Sequence, residues 1–239
     1  SNGTYYFKKG SYVKKYFKEL INRDINLKGE YYVSLIYNLL VEDGLKVSIY
    51  NIQHMLQWGT PQDVEEYNTW SKYFKNDIEE KPKPKPQENS ITLIPLAGRG
   101  SRFVKVGYKD PKPLIEVSGK PMIIQAANSL PNSQNHIFVT LKEHLENYPL
   151  EKTLKQEYQD ANIISIDEVT QGQAITCSLG LKDADENSSL LIAATDNGMI
   201  YNHEKYQNLI EDENVDAIIF TFKRHISSKN NPQMYGWVK

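Results

Sequence analysis

The stretch that most restricts how this chain can fold runs from Ile91 to Met122, ITLIPLAGRGSRFVKVGYKDPKPLIEVSGKPM. Its apolar run, Ile91 to Leu96, reads as a buried strand that breaks into Gly98-Arg99-Gly100-Ser101-Arg102. Gly98 and Gly100 permit backbone shapes that other residues resist and let the backbone approach a ligand closely. Backbone N–H groups exposed in such a turn hold phosphate oxygens. Arg102 offers a planar fork and Lys112, ten residues on, a compact point charge. Together they suit a polyphosphate whose charge builds as a leaving group departs.

Two commoner phosphate motifs are excluded. No Gly-Lys-Ser/Thr follows at P-loop spacing, and the third glycine of G-x-G-x-x-G is replaced by Phe103. A lone G-x-G is otherwise an ordinary turn. What sets this one apart is its company: a strand before it, Pro111-Lys112-Pro113-Leu114 after it, and Gly119-Lys120-Pro121-Met122 leading into a helix.

With that company, Leu96-Ala97-Gly98-Arg99-Gly100-Ser101-Arg102-Phe103 resembles the signature of the sugar-phosphate nucleotidylyltransferases, the nucleoside-diphosphate-sugar pyrophosphorylases. The resemblance implies an α/β fold: a Rossmann-like, mostly parallel mixed sheet flanked by helices. It implies transfer of a nucleotide from a nucleoside triphosphate to a sugar phosphate, with release of pyrophosphate, in the making of surface-polysaccharide precursors. Arg102 and Lys112 would be the catalytic cations, and Leu96, Ala97, Gly98, Gly100 and Ser101 would cradle the nucleotide.

Strands expected at 137–140 and 163–166, with a helix over 142–158 between them, argue for a doubly wound, mostly parallel sheet. Gln171-Gly172-Gln173 stands before the helical run Ala174 to Leu181. Read from residues alone it is either a helix-opening turn or a base-reading loop, since Gln173 offers donor and acceptor. The resemblance implies the second. Asp196 follows the apolar run Leu190 to Ala194, where an aspartate either caps a turn or faces a ligand beyond the strand end. The resemblance implies a Mg2+ ligand. Asn231 to Val238, with Tyr235 and Gly236, resembles the family's sugar-side segment, and the chain stops before the family's Glu-Lys pair.

Residues 3–76 resemble the other half of the same family. The resemblance places Gly3, Thr4 and Glu30 on the sugar phosphate. In the loop Leu56-Gln57-Trp58-Gly59-Thr60-Pro61, Gln57 stands where the family carries a second metal aspartate. Three regions are thus expected: 1–78 as the family's C-terminal half, 79–90 as a Lys-Pro linker with an extended, solvated backbone, and 91–239 as the nucleotide-binding core. Such an order fits a piece of a tandem protein or a permuted single domain. The two halves are expected to pack together, within one chain or swapped between two, with a homo-oligomer as a further form.

The net charge of −2 does not suit a chain that coats nucleic acid. The single Cys177 excludes an internal disulfide and, without an apolar membrane span or a signal peptide, points to a cytoplasmic setting. Most of the sixteen tyrosines are expected to be half-buried with wet hydroxyls. Two rival functions remain at this level: a non-catalytic nucleotide or sugar module, favoured by Gln57, and a metal-dependent glycosyltransferase, which Asp196-Asn197 fits but the glycine-Arg-Lys loop does not.

Overall fold

The computed structural model describes residues 2–74, 84–222, 228 and 232–238. Before the Lys-Pro stretch the chain forms β1 (Tyr5–Phe7), α1 (Gly10–Asn22), α2 (Ile36–Glu42), β2 (Val47–Asn51), β3 (His54–Gln57) and α3 (Pro61–Phe74). After it come β4 (Gln87–Leu96), α4 (Ser101–Val104), β5 (Glu116–Val117), β6 (Lys120–Pro121), α5 (Met122–Asn128), β7 (Ser133–Leu141), α6 (Lys142–Asn147), α7 (Leu150–Glu157) and β8 (Asn162–Ile166). The chain continues through α8 (Gln173–Gly180), β9 (Ser189–Ile192), β10 (Asn197–Ile200), α9 (His203–Glu211) and β11 (Ala217–Thr221).

Seven strands make one mixed sheet in the order β2-β11-β1-β9-β4-β7-β8. All neighbours are parallel except β1, which lies antiparallel between β9 and β11. Strands from both sides of the Lys-Pro stretch therefore share one sheet, and β3 pairs with β10 in a second, two-stranded one. The fold is the expected α/β class, a mostly parallel sheet with helices on both faces.

The alternation of side chains along the strands builds two cores. Tyr5, Phe7, Leu93, Leu190, Ile192 and Ile219 face one side, under α1, α2 and α8. Tyr6, Ile94, Leu96, Leu191, Ile218 and Phe220 face the other, under α5, α7 and α9. Successive strand residues point to opposite faces, so a fully buried strand such as AIIFT feeds both cores. Helix α1 docks because Val13, Tyr16, Phe17 and Leu20 recur at helical spacing and are buried.

Several expectations are corrected. The strand before the glycine loop begins at Gln87, inside the stretch expected as linker: Ser90 Oγ donates to the Gln87 carbonyl and accepts from Gln134 N–H, so polar side chains tie this strand to β7. Residues 79–83 lie outside the described residues. The helix expected over 142–158 is two helices, because Pro149 cannot donate the backbone bond that would continue the first. Gly119 does not open the helix directly; Ser118 and Gly119, both at positive φ, form the two-residue turn joining β5 to β6. Tyr5, Tyr6, Tyr16, Tyr37, Tyr50 and Tyr206 are core residues rather than half-buried ones.

Candidate functional site

The crevice lies where the sheet order reverses. From β4 the chain steps outward to β7 and β8, then crosses back to β9 on the other side. Ligands of open α/β sheets bind beyond the carboxyl ends of strands at such a point. Here β4 delivers the glycine loop and β9 delivers Asp196.

Local chemistry fixes both. The Thr195 hydroxyl donates to the Pro95 carbonyl at 3.0 Å, locking the end of β9 to the end of β4. Trp58 N–H donates to the Asp196 carbonyl at 2.9 Å. Gly100, at φ 60°, turns the loop into α4, and an added Cβ there would stand 2.8 Å from the Lys112 Cβ. Glycine is thus needed both for the left-handed turn and for the approach of Lys112. Gly98 differs from expectation: its backbone is not left-handed, and an added Cβ would meet nothing within 4 Å. Behind the loop, Phe103 is buried with Trp58, Val64, Ile115, Val117 and Met122, so residues from both sides of the Lys-Pro stretch anchor it.

A cleft of about 560 Å³ opens over these residues. Leu96, Ala97, Gly98, Gly100, Ser101, Arg102, Lys112, Gln171, Gly172, Gln173, Glu30 and Asp196 all line it. Gly3, Thr4, Tyr235 and Gly236 are not among its lining. Thr4 is buried at the entry to β1, where its N–H donates to Asn2 Oδ1. The Tyr235 ring packs edge-on against Phe222. An added Cβ at Gly3 would stand 3.2 Å from the Cβ of Ala194, which itself lines the cleft.

Charge is paired within the cleft. Lys112 Nζ and Asp196 Oδ2 form an ion pair with both side chains about four-fifths buried. Glu30 accepts from the Tyr32 phenol, and that bond with the carboxylate pushes the phenol up to about 12. The Gln171–Gln173 turn is held from behind by the earlier segment: Tyr31 N–H donates to the Gln171 carbonyl, and Ala174 N–H donates to the Tyr31 carbonyl. Thr170 Oγ1 donates to the Gly172 carbonyl at 2.9 Å and lies 2.6 Å from Thr176 Oγ1.

Sequence reasoning did not assign Gly59, Phe103, Thr170, Thr176 or Thr195 to the site, although all line the cleft. Gly59 carried the clearest signal, since it sits in the W-G-T-P turn beside Gln57. Thr60 and Asp63 fix that turn reciprocally: Asp63 N–H donates to Thr60 Oγ1, and Asp63 Oδ2 accepts from Thr60 N–H. An added Cβ at Gly59 would stand 2.7 Å from Gln57 Nε2 and 3.1 Å from Asp196 Oδ2. Gln57 Oε1 is buried without a hydrogen-bond partner. Among the described residues no three His, Cys, Asp or Glu side chains gather as a metal cage. Of the two positions expected to ligate a metal, only Asp196 lines the cleft; Gln57 turns its amide nitrogen toward Gly59 and keeps its carbonyl oxygen buried, so Asp196 alone offers the cleft a ligand, and a cation there would draw its other ligands from phosphate and water.

A model of the MobA-like NTP transferase domain matches residues 92–227. Among solved structures, the nucleoside-diphosphate-sugar pyrophosphorylase from Vibrio cholerae RC9 is similar at 30% identity over 38% of this chain and 39% of its own, with a TM-score of 0.34. A UTP-bound UGPase from Acinetobacter baumannii is similar at 24% identity over 39% of this chain and 40% of its own, with a TM-score of 0.26. The match thus spans about two fifths of the length of each of these structures. No curated protein matches the chain. No helix among the described residues is long and apolar enough to cross a membrane. With its family match extending over more than half of its residues, and from the strand before the glycine loop to the far side of the sheet, the chain belongs to the MobA-like NTP transferase domain family.

Proposed function

We propose that this chain is a nucleotidylyltransferase that joins a nucleoside triphosphate to a sugar-1-phosphate, releasing pyrophosphate and yielding a precursor for glycan assembly. The observation that carries this reading is convergence: the Gly98–Arg102 loop, Lys112, Asp196 and Gln171–Gln173, far apart in sequence, line one cleft. The triphosphate lies along the glycine loop, with its base at Gln173, whose amide presents both donor and acceptor. Arg102 and Lys112 hold the phosphates. A phosphate oxygen of the acceptor attacks the α-phosphorus in line; the new P–O bond forms as the bond to the β-phosphate breaks, and the pair of electrons leaves with pyrophosphate. Positioning and charge stabilisation do the work, and no general base is required. Mg2+, where bound, would be held by Asp196 and would neutralise phosphate charge. Glu30, in the cleft lining, would offer a carboxylate to the hydroxyls of the sugar.

The test is pyrophosphate release across four nucleoside triphosphates paired with hexose-1-phosphates, after a thermal-shift screen to choose the base. Lys112→Ala is expected to lose most turnover, and near-normal product formation by that variant would remove the lysine from the mechanism. A second reading, a nucleotide-binding module without turnover, is favoured by Gln57 in place of a carboxylate. Triphosphate binding with no pyrophosphate release from any pair would select it.

A further inference from the structure

Lys112 and Asp196 pair within the lining of the cleft. Lys112 Nζ meets Asp196 Oδ2, with side chains 18% and 20% exposed. The backbones behind both groups are fixed. Lys112 sits in a 3-10 turn in which Leu114 N–H donates to the Pro111 carbonyl at 2.8 Å, and its Cβ presses on the bare face of Gly100. Asp196 is held through its own carbonyl by Trp58 N–H and through Thr195 by Pro95. What remains free is the lysine stem, whose rotatable bonds let the ammonium turn from Asp196 toward the glycine loop.

We infer that Asp196 is the positioning residue of Lys112: it holds the ammonium at the wall of the cleft, and the lysine reaches the phosphates only when the charge of that carboxylate is compensated. The inference rests on the reading of this cleft as a triphosphate site. Its physical basis is the cost of a broken buried pair. A polyanion that draws Lys112 away leaves Asp196 bare, partly buried and facing negative charge. Neutralising the carboxylate, by substitution or by a cation held on it, removes that cost. Anion affinity and the state of Asp196 are then coupled through the lysine.

A double-mutant cycle in chelator tests this with inorganic tripolyphosphate, which needs no base. Binding is measured by titration calorimetry for the wild type, Asp196→Asn, Lys112→Met and the double variant; melting curves verify folding. Asp196→Ser is the substitute should the Asn variant fail to fold. The expected result is that Asp196→Asn tightens tripolyphosphate about tenfold when Lys112 is present, and less than about threefold when it is Met, a coupling within the usual range for linked sites. An equal gain in both backgrounds would mean that the carboxylate merely repels the anion, and the inference would fall. No gain in the lysine background would also overturn it. If no variant binds tripolyphosphate, the reading of the cleft as a triphosphate site fails together with the inference; binding with an additive cycle removes the inference alone.

Discussion

Gly172→Ala tests whether the Gln171–Gln173 turn is built as the backbone geometry requires. Gly172 sits at φ 133° and ψ 164°, a region that residues with a side chain rarely enter. An added Cβ would stand 2.8 Å from the Tyr31 carbonyl oxygen and 2.9 Å from the Tyr31 nitrogen. Both are backbone atoms, and both are engaged, one with Ala174 N–H and the other with the Gln171 carbonyl. If the loop keeps its place, it carries backbone strain of about 1–3 kcal/mol. If it yields, it gives up two hydrogen bonds at about 0.5–1.5 kcal/mol each, again about 1–3 kcal/mol. Either route lowers stability by a similar amount, and for a chain of this size the melting temperature should fall by about 2–12 °C. The routes differ in binding, because only the yielding loop moves Gln171 and Gln173. Urea denaturation gives the stability change, and calorimetry with the preferred triphosphate gives the affinity. A variant that matches the wild type in both would refute the assigned contact between Gly172 and Tyr31.

Gly98→Ala separates binding from folding in the opposite sense. Its new methyl meets no protein atom within 4 Å and demands no left-handed backbone, so the urea midpoint is expected to stay within about 0.5 kcal/mol of wild type. Gly98 lines the cleft, so if the loop cradles phosphate as proposed, triphosphate affinity should drop by about tenfold or more by the same titration. Cys177 lies on the buried face of α8, and burial pushes its thiol far above the ordinary range. It should resist alkylation at pH 8 in the folded protein and react on adding denaturant; rapid modification without denaturant would contradict its placement.

Much of the cleft's lining was legible because its signals are local. The glycine loop, Lys112, the Gln171–Gln173 turn and Asp196 each stand at a strand end or helix start, where the sequence marks a turn, and all of them line the cleft. The parts that escaped depend on partners distant in sequence. Residues 54–57 and 197–200 are too short to declare themselves as strands, and each becomes one only by pairing with the other. Gln87, Glu88 and Asn89 look like linker because their polarity says nothing about the serine and glutamine that pin them to β7. Gly3, Thr4, Tyr235 and Gly236 follow motif order, but the ring of Tyr235 is taken by Phe222 and the backbone of Thr4 by Asn2 and Phe220, as packing demands. Pro149 is the exception, a break that could have been read directly.

The three residues of β1 carry a weight out of proportion to their number. They come from outside the span 92–227 that matches the family, yet β11 reaches β9 only across them, and β2 hangs from β11. Peeling Tyr5–Phe7 from its slot would sever two strands from the rest of the sheet at a stroke, while β9, β4, β7 and β8 kept their mutual bonds. Amide protons of β11 should therefore exchange in step with those of β1, however deeply Ile218 and Phe220 are packed.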